Sequence, residues 1–203
     1  MFQLVSLIIL GNAMFKSIFA LLTFSLLIFT ASLNAQDEMS ADQKAWMDYM
    51  TPGPMHEMMA KSVGEWKTKN TYWMDPNGKP TVSKGTASVE MILGGRYLKA
   101  AHKGTVMGMP MEGTNLQCYD NASREFTAVW IDNLGTGMSV SKGTYDDETK
   151  TIYFIGRMVD PMSRKEIKFR QTHQIINNNH HVFEMFMLKN GEEFKMLEVV
   201  YRR

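Results

Sequence analysis

The sequence predicts an all-β fold: an antiparallel up-and-down β-barrel of about ten strands, preceded by two short helices. Three observations predict it. From Glu65 onward, runs of about 8 to 12 residues rich in Val, Ile, Thr, Tyr, Phe and Trp recur, the composition and length of strands. Between them stand clusters that reverse a chain: Asp75-Pro76-Asn77-Gly78, Asp120-Asn121-Ala122-Ser123, Asp146-Asp147-Glu148, Asp160-Pro161-Met162-Ser163, Asn177-Asn178-Asn179 and Lys189-Asn190-Gly191. Short reversals make sequential antiparallel neighbours, and a meander of that many strands removes its open edges only by closing.

The chain opens with a segment that reads as a secretory signal over residues 1–35. Lys16 precedes an apolar stretch from Ser17 to Ala31, and Leu33-Asn34-Ala35 leads into the polar Gln36-Asp37-Glu38. Residues 1–13 carry no positive charge ahead of their own apolar run, so translation is expected to begin at Met14. Export to the periplasm or beyond the cell follows, with no stable membrane anchor after cleavage.

Residues 36–64 read as a helical segment packed on the barrel. Ser40-Ala41-Asp42-Gln43 has the form of a capping box, and Ala45, Trp46, Tyr49 and Met50 share one helical face, which predicts a helix over 41–50. Thr51-Pro52-Gly53-Pro54 stops it. Pro54 suits the first position of a second helix, whose buried side would be Met55, Met58 and Met59 and which ends near Gly64. The barrel then occupies 65–203. Gly85, Gly104 and Gly143, each in Lys-Gly-Thr, are expected where strands bend.

Removing residues 1–35 deletes one lysine and no acid, so 22 basic against 21 acidic residues become 21 against 21. A neutral chain of this kind is a poor partner for nucleic acid. Cys118 stands alone, so no internal disulfide forms, and its neighbours Gln117, Tyr119 and Asp120 supply no base to activate it. No phosphate-binding glycine loop and no Gly-x-Ser-x-Gly elbow is present.

Several motifs carry a family resemblance. They are Pro52-Gly53-Pro54 with His56, Gly64-Glu65-Trp66, Leu93-Gly94-Gly95-Arg96-Tyr97, Met107-Gly108-Met109-Pro110-Met111-Glu112-Gly113 and Tyr119-Asp120-Asn121. Trp130-Ile131-Asp132-Asn133, Gly135-Thr136, Glu184-Met185 and Met196-Leu197-Glu198 with Tyr201-Arg202 complete the set. With these the chain resembles the bacterial family called domain of unknown function 1579 over roughly residues 46 to 203, departing from its usual pattern at Met55 and Met111. The resemblance implies no established activity. Gly64-x-Trp66 after a short helix also resembles the entrance of lipocalin-type barrels. There the tryptophan closes one end beneath an arginine from the far end of the chain, a role open to Arg202 or Arg203. Gly64, Trp66, Gly94, Gly95 and Arg202 are therefore expected to be structural.

The candidate ligand-binding residues are Arg96, Tyr119, Trp130, Glu184 and Glu198. Glu184 interrupts the stripe Val182, Phe186, Leu188, and Glu198 interrupts Phe194, Met196, Val200, Arg202. Carboxylates on apolar stripes need a cation, a donor or a proton, with Arg96 and Arg170 as expected partners. Three readings stay open: an exported, non-enzymatic binding protein for a small, mostly apolar ligand; an enzyme using Glu184 and Glu198 for acid/base chemistry; and a filled structural barrel acting through its surface.

No cofactor is expected, but two alternatives have named residues. Of the 19 methionines, 17 follow Ala35. Met107, Met109 and Met111, or Met55, Met58 and Met59 around His56, offer soft sulfur to copper(I), although adaptable packing explains them as well. The resemblance to lipocalin-type barrels adds haem, through His102 or His173. The histidines at 56, 102, 173, 180 and 181 have no zinc-site spacing.

Overall fold

The computed structural model describes residues 39–189 and 192–203. The expected export signal and translation start lie outside the described residues, as does the Asn190-Gly191 turn. The chain divides after Trp46. Ahead of that point lie the first turns of helix α1 (Ala41–Met50), opened by the expected capping box. Ser40 Oγ accepts from the Gln43 amide at 3.2 Å and Gln43 Oε1 accepts from the Ser40 amide at 2.8 Å.

The second unit, Met47–Arg203, holds a closed antiparallel barrel in simple sequential order. Its strands are β1 (Gly64–Tyr72), β2 (Thr81–Ile92), β3 (Tyr97–Val106), β4 (Met109–Asp120), β5 (Glu125–Asp132), β6 (Ser139–Asp146), β7 (Thr151–Val159), β8 (Glu166–Asn177), β9 (His180–Lys189) and β10 (Glu192–Arg202). The seam is the pairing of β1 with β10, from Lys67 opposite Arg202 to Tyr72 opposite Leu197. All ten strands are thus paired on both sides, which leaves no edge to template aggregation.

One end of the barrel is filled. Helix α2 (Pro54–Ala60) places Met59 in a cluster with Trp66, Val89, Leu98, Phe126, Ile152 and Phe154, with Met55 and Met58 packed beside it. His56 reaches back from the helix to accept from the Gly53 amide at 3.1 Å and donates to the Tyr119 carbonyl, which ties α2 to β4. By contrast none of the ten residues of α1 is buried: Trp46, Tyr49 and Met50, on the face read as apolar, are exposed.

Trp66 is the plug at this end, and the arginine above it is Arg203. The guanidinium carbon stands 4.3 Å from the indole centroid. Arg203 also donates to the carbonyls of Val63, Lys61 and Asn178, joining the start of β1 to the β8–β9 turn. Of the two arginines open to this role, Arg202 instead lies opposite Lys67 in the strand register and is exposed. Gly64 has φ +130°, which calls for glycine, and a Cβ there would also press on Arg203 Nη1 at 3.0 Å.

The Lys-Gly-Thr glycines mark close approaches. A Cβ on Gly85 would stand 2.4 Å from the Lys103 carbonyl, and one on Gly143 would stand 2.3 Å from the Tyr153 carbonyl. Gly104 lies against Gly85, its ideal Cβ 3.7 Å from the Gly85 Cα. Their absent side chains let neighbouring backbones and an aromatic ring come together. Among the glycines of the described residues, positive φ falls elsewhere, at Gly64, at Gly94 and Gly95 in the β2–β3 turn, and at Gly108.

Candidate functional site

Directly paired residues of an antiparallel ladder share a face, so the register fixes which side chains point to the barrel axis. On β3 to β5 the inward rows include Ala100, Asn115 and Trp130 at one level, and His102 and Gly113 at the next. On β8 to β10 they include Gln171, Met185 and Leu197, then His173, Phe183 and Val199, then His181 and Tyr201.

These rows are not filled alike. Most inward side chains of β2 to β7 near α2 are buried, as the Trp66 and Phe126 cluster requires. His102, Asn115, Trp130, Gln171, His173, Phe183, Leu197 and Tyr201 face the axis yet stay only half-buried. A side chain behind a closed wall keeps accessible area only where the interior is unfilled. The barrel therefore has a packed end and a lumen bordered by β8 to β10 on one side and by His102, Asn115 and Trp130 on the other.

Aromatic rings organise that lumen. His102 lies 5.3 Å from Trp130 and 5.9 Å from Tyr201, both nearly edge-on. His173 lies 5.3 Å from His181 and 6.3 Å from Tyr201, and His181 leans on the plug tryptophan at 4.7 Å. His173 Nε2 and His181 Nδ1 are 3.3 Å apart and share a hydrogen bond.

Burial sets the charge state of the group. It holds His102 and His181 down at about 4 and His173 at about 3, the last two also disfavoured by neighbouring positive charge, so all three imidazoles are neutral at pH 7. Burial likewise raises the Tyr201 hydroxyl well above the ordinary tyrosine value. Among the described residues, the charged positions on inward rows, Asp132, Glu192 and Lys189 opposite it in the register, stand at the rim. Asp132 accepts from Trp130 Nε1 at 2.6 Å and from the Leu134 amide at 2.9 Å, which orients the indole.

Some of this polarity is unspent. Asn115 Oδ1 is buried and accepts no hydrogen bond among the described residues, and His181 Nε2 is in the same condition. Neither the His102 imidazole nor the Tyr201 hydroxyl is hydrogen-bonded to a described residue. Enclosed polar groups of native proteins are nearly always satisfied, by protein or by ordered water, so this cluster marks the lumen as the candidate site.

The five candidate residues fall in three places. Trp130 lines the lumen. Tyr119 is inward at the packed end, tilted against Phe126 at 4.9 Å and edge-on to His56 at 6.0 Å. Arg96 is outside the barrel, donating to the Leu93, Gly94 and Met50 carbonyls. Together with Asn121, whose Nδ2 meets the carbonyls of Asp48, Tyr49 and Thr51, it satisfies the C-terminal end of α1.

Glu184 and Glu198 are on the outer wall, opposite each other on β9 and β10. Neither Arg96 nor Arg170 is their partner. Lys195 bridges them, at 2.9 Å from Glu184 Oε1 and 2.7 Å from Glu198 Oε2, with its ammonium 5.2 Å from the Trp73 ring. Burial lowers the lysine's pKa, but the bonds to Glu198 and Glu184 outweigh that and hold it above the ordinary value. Arg170 pairs with Glu193 through two bonds of 2.9 and 2.7 Å and covers Phe186.

Of the cofactor candidates, Met111 is buried while Met107 and Met109 are exposed, and Met55, Met58 and Met59 pack on the core. His102 and His173 both face inward, the second already engaged by His181. A separate open recess of about 490 Å³ lies where α1 meets α2, lined in part by Tyr119, Asn121 and Arg124. The Asn121 amide there is committed to α1, which makes the lumen the better candidate. Asn115, Gln171, His181 and Tyr201 were not singled out from the sequence. The alternation Leu197, Val199, Tyr201 on the closing strand does not single out the last of them, because the alternate row with Met196 and Val200 is apolar as well.

A family model described as "Protein of unknown function (DUF1579)" matches residues 51–203. The chain belongs to that family. No curated protein matches this DUF1579 chain significantly. Among solved structures, it is similar to the crystal structure of Rv2717c from M. tuberculosis, with TM-score 0.56 and 16% identity over 75% of this chain and 99% of that one. It is also similar to the S-type phycobiliprotein lyase CPES from Guillardia theta, with TM-score 0.50 and 5% identity over 78% of this chain and 96% of that one. At such identities the likeness is one of fold: the DUF1579 barrel shares its architecture with both.

Proposed function

We propose that this protein binds a small, mostly apolar molecule inside the barrel and performs no chemistry on it. The observation that carries the reading is the enclosed, unspent polar cluster of Asn115, His102 and Tyr201 beside the apolar surfaces of Trp130, Phe183 and Leu197. Pockets for small molecules have this composition, mainly apolar with a few convergent polar groups. The acid/base alternative loses support because Glu184 and Glu198 share a lysine on the outer wall. The filled-barrel alternative is opposed by the half-buried inward rows.

Native mass spectrometry of the protein purified from its own host tests the reading. A co-purified organic molecule is the expected result, and a bare protein mass that also takes up no apolar probe would overturn it. We carry forward export as part of the same proposal. N-terminal sequencing should find Gln36 first, and an intact 17–31 segment in the mature protein would overturn that part.

A further inference from the structure

We infer that the ligand of the lumen is an uncharged, flat ring compound carrying both a hydrogen-bond donor and an acceptor; this rests on the reading of the lumen as a ligand site. The absence of charge follows from the walls. Below the rim, the inward rows of the described residues contain no Lys, Arg, Asp or Glu, so a carboxylate or ammonium would be desolvated without a counter-ion. At neutral pH the imidazoles stand unprotonated, because burial disfavours their charged form, so an anion meets no cation already in place.

The donor and acceptor follow from which groups are unspent. Asn115 Oδ1 can only accept, so it calls for a donor on the ligand. The Tyr201 hydroxyl can donate, and a neutral His102 presents one donor and one acceptor nitrogen. The register places Asn115 beside Trp130 and the His102–Gly113 pair, and His102 in turn stands 5.9 Å from Tyr201. Flatness follows from the rings that border these atoms. Trp130, His102 and Tyr201 meet edge to face, and a ring compound can continue that packing in offset or edge-on contact where a flexible alkyl chain has no comparable geometry.

The test uses three probes with one bicyclic ring system: 2-naphthol, naphthalene and 2-naphthoate, titrated calorimetrically into the full-length protein at pH 7. We expect 2-naphthol to bind about tenfold tighter than either of the others, the worth of one hydrogen bond to a buried group. Asn115→Leu should bring 2-naphthol down to the level of naphthalene and leave naphthalene itself unchanged. Should that variant fail to fold, His102→Phe makes the same comparison. Equal affinity for naphthol and naphthalene, or tighter binding of naphthoate, would overturn the ligand class while leaving the lumen as a binding site. If none of the three binds, both the class and the underlying reading fail.

Discussion

The indole of Trp130 occupies the space that a side chain at position 113 would need: a Cβ built on Gly113 would stand 2.3 Å from Trp130 Cζ2. The same device recurs where Phe169 covers Gly156, at 2.2 Å from the ideal Cβ. A ring laid on a glycine of the neighbouring strand protects that glycine's backbone and gains contact area that no smaller pair supplies. Trp130 is held there by its Nε1 hydrogen bond to Asp132. Gly113→Ala should therefore destabilise the barrel by about 1–3 kcal/mol, the usual cost of overpacking, and move the indole. Urea unfolding and near-ultraviolet circular dichroism would read the two effects, and an unchanged tryptophan signal would count against the arrangement.

The plug separates two adjacent arginines. Arg203→Ala removes the contact over Trp66 together with bonds to three carbonyls, and should cost about 2 kcal/mol. Arg202→Ala, at an exposed position on the outer face, should fall within about 0.5 kcal/mol of wild type. Denaturant midpoints of the two variants decide between them; equal losses would mean that the plug is misassigned.

Stability should depend steeply on pH through the interior histidines. Their folded pKa values, about 4 for His102 and His181 and about 3 for His173, lie below the unfolded value of 6.5. Between those limits the unfolded chain binds protons that the folded chain refuses. The stabilisation is therefore complete above pH 6.5 and is lost as pH falls toward 4, by about 1.4 kcal/mol per pH unit for each histidine. Urea titrations from pH 7 to pH 4 should show this fall, and His173→Gln should make it shallower. A flat profile across that window would show that the imidazoles are not enclosed.

The Lys195 bridge is predicted to be structural. Lys195→Met leaves two carboxylates facing each other across β9 and β10 and should cost about 1 kcal/mol, since all three groups are partly solvated. Glu184→Gln with Glu198→Gln should leave 2-naphthol affinity unchanged. A large loss of binding in that double variant would return the pair to the site.

Strand count, turn positions and closure were legible because ten runs separated by Asp, Asn, Pro and Gly clusters admit few other arrangements. The inner face of the last two strands was not. On β9 the inward row is His181, Phe183, Met185 and Met187, and the outward row holds Val182 and Phe186; both are apolar, so a period of two cannot choose between them. On β10 the register shifts between Lys195 and Leu197, which moves Glu198 off the face that Phe194 occupies. A bulge leaves no mark in the residue types around it. The site inherited the difficulty: Trp130 was found from its own strand, whereas Tyr201 and Asn115 acquire meaning only once strands distant in sequence are brought around the axis.

The β1–β10 seam makes the enclosed lumen a late product of folding. Each of the other nine pairings joins neighbours in sequence and can form as a hairpin while synthesis proceeds. The tenth joins Lys67 to Arg202, and its lock joins Val63 to Arg203, 140 positions apart. Contacts of that separation form slowly because the intervening chain must first be ordered. Until they form, β1 and β10 are bare edges and the chamber has no wall between Asn70 and Val199. A molecule that fits the lumen would favour the closed ring over the open ribbon, so binding and the final step of folding would be thermodynamically linked.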